Sequence, residues 1–256
     1  MSEVDEKLQL EDLDLDHHYT FQEFEILNEE LKTCAPLEIK GQTIDLFEFD
    51  NTGKLIPMPQ ATICAEVVVA KIASRLDRWN EQTYQNGAIT TSQGGFNFNS
   101  RGKTIRAPDV AFMPRNIYCN LTEQQRWSFR GEPFTPIFIV EVGVIENKSD
   151  FDKLDSKFRD VYFGEGTSVK LGWIIDPKNK KIWVYKKTRT NVLRCYDHGW
   201  KDLEILPEFV LHIKCIEDVI NQKSVESPES KLRQCLECDQ NFTSKYKFLK
   251  HYEEAH

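Results

Sequence analysis

The chain has 256 residues, 40% of them hydrophobic and 11% aromatic, enough for one sizeable core plus a small appendage and too many for wholesale disorder. No apolar run approaches the roughly 20 residues of a membrane span, and the acidic opening MSEVDEKLQLEDLDLDHHYT lacks the apolar h-region of a secretory signal. An intracellular protein is therefore predicted, nuclear or cytoplasmic and not secreted, with no membrane partner and its seven cysteines reduced. The net charge of −8 is uneven: residues 1–33 hold 11 acidic and 2 basic residues, which leaves 31 basic and 30 acidic for the rest.

In chain order, Thr20 and Glu23 form a capping-box pattern ahead of Phe21, Phe24, Ile26, Leu27 and Leu31, which predicts a helix from about 20 to 33. TIDLFEFDNTGKLIPMP follows as a hairpin with Asn51, Thr52 and Gly53 in its turn. A long helix over 60–80 places Ile63, Val67, Ala70, Ile72 and Leu76 among its apolar positions. AITTS, GFNFN and TIRAPDVAFM are short strands, and 121–131 is a short helix and loop. PIFIVEVGVIE is a strand, SDFDKLDSKFRDVYF a helix capped near Ser149 or Asp150, and LGWIIDP and KIWVYKK two strands joined at DPKNK. Trp127, Trp173 and Trp183 are expected in the core. Gln93, Gly94 and Gly95 read either as a tight turn or as a backbone approach to a bound phosphate. The domain boundaries are an acidic N-terminal tail at 1–19, a main domain at 20–221, a polar linker at 222–232 and a small module at 233–256. This order predicts an α/β or α+β fold with a mixed sheet, and excludes a helical bundle or an all-β sandwich.

In the C-terminal module, Cys235 and Cys238 stand two apart, then twelve residues precede His251, and four separate it from His256. Two thiolates on a turn and two imidazoles on one helix face close a tetrahedral Zn²⁺ site, a small ββα Cys2His2 finger whose folding depends on the metal. Its base-facing positions are Ser244, Lys247 and Lys250. One finger reads only about 3 bp, so DNA and a protein partner both stay open as its target. Residues 178–201 hold eight Lys or Arg against Asp197. Lys180, Lys181, Lys186 and Lys187 there form either a solvated hairpin face or a track for phosphates.

The sharpest feature is Glu141, a carboxylate inside a strand that reads as buried on both faces. An unpaired buried carboxylate costs several kcal/mol or takes up a proton. Asp109, after Pro108, opens a neighbouring strand, and a carboxylate pair at strand level suits a hard cation such as Mg²⁺. The alternatives are a turn-capping Asp109 and a structural ion pair between Glu141 and a lysine.

RAPDVAF, PIFIVEVGVIENKSDFDKLDSKF and LGWIIDPKNKKIWVYKK, in that order, resemble the PD-(D/E)XK nucleases and, more closely, the Uma2 family of restriction-endonuclease-like proteins over roughly residues 20–190. The resemblance implies a restriction-endonuclease-like mixed sheet flanked by helices, with Asp109 and Glu141 binding Mg²⁺ or Mn²⁺. The usual lysine two residues past that Glu is Gly143 here. The resemblance assigns its part to Lys157 on the next helix, with Lys153 as runner-up, and adds Glu66 on the long helix. Where many relatives carry a Glu-His pair, this chain has Ile63 and Cys64. The expected function is metal-dependent DNA endonuclease activity, with a zinc finger aiding nucleic-acid or partner binding; DNA is the expected partner, and a homodimer stays open. The alternative is a non-catalytic DNA- or protein-binding factor on a decayed nuclease domain.

Overall fold

The computed structural model describes residues 10, 13–33, 36–99, 101–129, 131–187, 192–197, 199–201, 204–221, 233–234, 241–242 and 251. Two compact units divide at 220/221. In the first, α1 (Phe21–Leu31) begins with the capping box that Thr20 and Glu23 announce, each side chain accepting from the other's backbone N–H. It is followed by β1 (Leu37–Ile39), β2 (Gln42–Phe49) and β3 (Leu55–Pro59), then α2 (Ile63–Gln82). Short strands β4 (Ala88–Thr91), β5 (Phe96–Asn97), β6 (Ile105–Arg106) and β7 (Val110–Met113) lead to short helices α3 (Arg115–Tyr118) and α4 (Glu123–Trp127). Strand β8 (Phe138–Val142) and helix α5 (Lys148–Ser156) come next, and α5 runs directly into a π-helical turn, Lys157–Tyr162. The unit ends with β9 (Leu171–Asp176), β10 (Lys181–Lys187), β11 (Val192–Asp197), β12 (Gly199–Lys201), β13 (Val210–His212) and α6 (Ile213–Ile220).

The expected mixed sheet is the larger of two main sheets in this unit, beside a small β12-β13 pair. The larger has the order β11-β10-β9-β8-β7-β4, and only β8 and β9 run parallel in it. The smaller joins β1, β2, β3, β5 and β6. Strand alternation sorts the core of the larger sheet. Val110, Phe112, Phe138, Val140, Leu171 and Trp173 pack on α2 through Val68, Val69, Ile72 and Leu76. Ala111, Ile139 and Ile174 face the opposite way, toward Phe158, Tyr162 and Phe163. A third cluster seats Phe24 and Leu27 of α1 on Phe47 and Phe49 of β2.

Several expectations are corrected here. Ile72 and Leu76 are buried as expected, but Ile63 is 83% exposed and Val67 and Ala70 also face outward; Val68, Val69 and Trp79 complete the buried face of α2 in their place. A run of three valines offers the 3.6-residue period more than one phase, and the sheet selects among them. Trp127 is 83% exposed and no part of the core, whereas Trp173 is fully buried and Trp183 partly so. The α5 cap is Asn147, whose side chain accepts from the Asp150 N–H. Within 1–19, the described Leu10 and Tyr19 are buried, and Leu13 and Leu15 pack on the third cluster.

The second unit is described at the paired strands β14 (Arg233–Gln234) and β15 (Asn241–Phe242) and at His251, whose backbone is helical. Cys235, Cys238, His256, Ser244, Lys247, Lys250 and the 222–232 linker lie outside the described residues.

Asn28 on α1 clamps β2 through both backbone groups of Phe47, accepting from its N–H at 2.8 Å and donating to its C=O at 3.1 Å. Asn28→Ala strips both partners from a half-buried edge and is expected to lower stability by about 1–3 kcal/mol, measured by urea denaturation.

Candidate active site

Strand β8 runs between β7 and β9, and this placement buries Glu141 to 6% exposure. Phe138 and Val140 turn toward α2, so Ile139 and Glu141 turn to the other face. The antiparallel register pairs Val110 with Val140 and Ala111 with Ile139. Continued by one residue, it sets Asp109 opposite Glu141 on the same face, where cross-strand Cβ atoms lie about 4.5–5.5 Å apart. Asp109 is held by its two oxygens: Oδ2 accepts the Val142 N–H at 2.6 Å and Oδ1 accepts the Ser92 hydroxyl at 3.3 Å.

Glu141 Oε1 receives two side chains from the helix that follows its strand. Lys157 Nζ lies 3.1 Å away, and Tyr162 Oη donates a hydrogen bond to the same oxygen. In an α-helix, residues five apart point about 140° away from each other. The wider π-helical turn over 157–162 lets both reach one atom. Lys157 Nζ also lies 3.1 Å from Glu48 Oε1. Glu48, 1% exposed, accepts the Ala107 N–H on Oε1 at 2.9 Å and pairs with Arg106 Nε through Oε2 at 3.4 Å. Arg106 in turn donates to the carbonyls of Phe49 and Ile105.

The residues gathered here, Glu48, Asp109 and Glu141 with Arg106 and Lys157, carry one more negative than positive group when all are ionised. Asp109 takes the strain. Burial, then the charge of Glu141, push its carboxyl up to about 7, against the pull of the Val142 N–H and of Lys157. Burial also raises Glu141, partly offset by Lys157. Burial works to lower Lys157, but Glu141 and Glu48 outweigh it and hold the ammonium protonated above its usual range. Tyr162 is pushed well up by burial and by the same two carboxylates, so it stays a donor.

Asp109 opens onto a cleft of about 400 Å³, also lined by Asp45, Glu66, Ser92, Gln93 and Ala107. A hard divalent cation takes one or two protein carboxylates and completes its shell with water or phosphate oxygens. An adjacent carboxylate pair with surplus negative charge, of which Asp109 opens on a cleft and Glu141 lies buried behind it, fits that donor set. Among the described residues there is no group of three or more His, Cys, Asp or Glu side chains arranged to hold a metal.

The structure thus brings together Asp109, Glu141 and Lys157, with Lys157 in the ion pair to Glu141 that is the structural alternative for that carboxylate. Glu66 is exposed on the first turn of α2 and lines the same cleft. Lys153 is exposed on α5 beside a separate shallow depression. At Gly143 a side chain would meet open space, so packing does not forbid a lysine there. Gly94 and Gly95 are explained by packing, since a Cβ on either would strike Thr90 or Phe129, while Gln93 faces the cleft. Of the basic hairpin, Lys180 and Lys186 pair with Glu217 and Glu204, and Lys187 folds onto the carbonyls of Gly164 and Thr167; Lys181 is exposed. Sequence reasoning missed Glu48, Arg106 and Tyr162. A signal for Glu48 was available: FEF in β2 is a carboxylate between buried aromatics, the same anomaly as VEV in β8.

The family model described as "Putative restriction endonuclease", Uma2, matches residues 35–214. The chain belongs to the Uma2 family. The crystal structure of a "putative nuclease belonging to DUF820" from Anabaena variabilis is similar in fold, with a TM-score of 0.51 and 14% identity over 75% of this chain and 98% of that one. No curated protein matches the sequence. The Uma2 match begins after α1, and α1 with the buried Leu10 and Tyr19 packs on β2 of the matched region. No helix among the described residues is long and apolar enough to cross a membrane.

The raised Asp109 carboxyl makes the stability of the metal-free protein depend on pH. Its folded value near 7 exceeds an unfolded value of about 3.9, so the folded state binds more protons between the two and is stabilised as pH falls through 7. Lowering the pH from 8 to 5 is expected to add at most about 3 kcal/mol through this group. Asp109→Asn should remove that part of the slope in urea denaturation with a chelator present.

Proposed function

We propose that this Uma2 protein hydrolyses DNA phosphodiester bonds in a reaction that depends on Mg²⁺ or Mn²⁺. The observation that carries the reading is the carboxylate pair, Asp109 opposite Glu141, at the edge of a cleft with a protonated lysine on Glu141. Asp109 and Glu141 would hold the cation, and Glu66 faces the same cleft. The cation would polarise the phosphoryl group and lower the pKa of a bound water.

The protein's own groups then divide the remaining work. Lys157, held protonated by two carboxylates behind the cleft, would be a positive charge stabilising the charge that develops on the phosphate, and not a base for the water. Tyr162 keeps the Glu141 carboxylate oriented, and Ser92 and the Val142 N–H do the same for Asp109. No Lys or Arg lines the cleft among the described residues, while Asp45, Glu66 and Asp109 do. A phosphate backbone entering it meets net negative charge, which favours a cation-dependent encounter.

One observation favours a second reading, a non-catalytic DNA- or protein-binding factor: the Lys157 ammonium already compensates Glu141 without any cation. Cleavage of supercoiled and linear DNA with Mg²⁺ or Mn²⁺ separates the two. Asp109→Ala and Glu141→Ala are expected to abolish nicking, and Lys157→Met to slow it by about 10²–10³-fold. A folded protein that binds DNA without cutting it under any of these conditions would leave the binding factor.

For the C-terminal unit we propose a Zn²⁺ site of Cys235, Cys238, His251 and His256, supported by the ligand spacing. Ser244, Lys247 and Lys250 would meet DNA or a protein partner. Metal analysis of the purified chain should find about one zinc per chain, lost in Cys235→Ser.

A further inference from the structure

Resting on the cation-dependent reading of the site, we infer that Glu48 is the standby counter-ion of Lys157: when a divalent cation occupies Asp109 and Glu141, the ammonium is retained on Glu48. The geometry that carries this is the equal division of Lys157 Nζ, 3.1 Å from Glu141 Oε1 and 3.1 Å from Glu48 Oε1. A cation on Glu141 repels an ammonium on the same carboxylate. With Glu141 as its sole partner, Lys157 would have to be displaced, or would hold the cation off. With a second carboxylate on its other side it has a place to go within the same hydrogen-bonding reach.

Glu48 is built for a fixed post and not for a turn in the coordination shell. It is 1% exposed, among the most buried charged side chains described. Its Oε1 is pinned by the Ala107 N–H and its Oε2 by Arg106. Arg106 is itself anchored on the Phe49 and Ile105 carbonyls. Like Glu141, Glu48 does not line the cleft; what sets it apart is that both of its oxygens are already engaged, by the Ala107 N–H and by Arg106. Its backbone partner, Ala107, lies two residues before Asp109, so the same carboxylate also steadies the segment that delivers the first ligand. Glu48 is thus a positioning residue that acts through Lys157.

The test is cation affinity, read by calorimetric Mn²⁺ titration without DNA, for the parent, Glu48→Gln, Lys157→Met and the double variant. Gln keeps the length and the Ala107 hydrogen bond but removes the charge. Losing the Glu48 charge weakens Mn²⁺ binding a little in any background. Forcing Lys157 onto Glu141 should add a further loss of about tenfold only where Lys157 is present. The inference is supported if Glu48→Gln costs at least about fivefold more affinity in the parent background than in the Lys157→Met background. Equal losses in both backgrounds overturn it while leaving the cation site intact. A parent that binds no Mn²⁺ overturns the cation-dependent reading and this inference together.

A measurement on the unaltered protein covers the case in which Glu48→Gln fails to fold. Hydrogen-bond scalar couplings from the Lys157 ammonium nitrogen to the Glu48 and Glu141 carboxylate carbons are recorded by NMR as Mg²⁺ is added. The coupling to Glu48 should persist as that to Glu141 disappears. Loss of both, or loss of the Glu48 coupling first, overturns the proposal.

Discussion

Two buried carboxylates share one ammonium, and the architecture around the cleft depends on that arrangement. Glu48 comes from the smaller sheet, Glu141 from the centre of the larger, and Lys157 from the π-helical turn after α5. No pair of these elements is adjacent in sequence except β8 and α5. Breaking one partner of a buried ion pair costs about 3–5 kcal/mol because it strands a charge, whereas apolar packing in its place is often as stable. The ion cluster is therefore poorly explained by stability alone. Its geometry is specific, its charges are nearly but not fully balanced, and its unbalanced member, Asp109, is the one facing the cleft.

That imbalance connects packing to chemistry. A protein that buried three carboxylates against three cations would be electrostatically closed. Here the residual negative charge draws a proton to Asp109 near neutral pH, and a cation at the proposed site would compete with that proton for the same oxygens. The hydrogen bonds from Val142 and Ser92 fix where those oxygens point. The lysine contributes position as much as charge: a lysine in place of Gly143 would leave the same strand as Glu141, while Lys157 reaches the carboxylate from a helix. This route needs the π-helical turn, which also supplies Tyr162 from five residues on.

Much of this was legible in local pattern. The capping box at Thr20, the hairpin over 43–59, the paired strands around DPKNK and the burial of Glu141 follow from hydrogen-bonding chemistry, turn residues and, for Glu141, an unbroken run of apolar neighbours, all of which need only nearby residues in the chain. Glu48 was equally legible, since FEF poses the question that VEV poses. It stood unrecognised because a hairpin strand is ordinarily covered on one face only, and the second layer, Arg106 and Lys157, comes from far along the chain.

The sequence by itself determined most of the elements from α1 to β10, their order there and the presence of carboxylates where apolar side chains would be expected. Only the tertiary structure decided which of the valines of α2 are inside, that Trp127 is outside, that the strands divide between two main sheets, and that Glu48, Glu141 and Lys157 meet. Periodicity fixes a spacing and leaves its phase free when several apolar phases compete, as in the valine run of α2. A buried charge declares that it needs a partner, but which partner it finds depends on contacts across more than a hundred residues, such as Glu48 to Lys157, and those exist only once the sheets have packed.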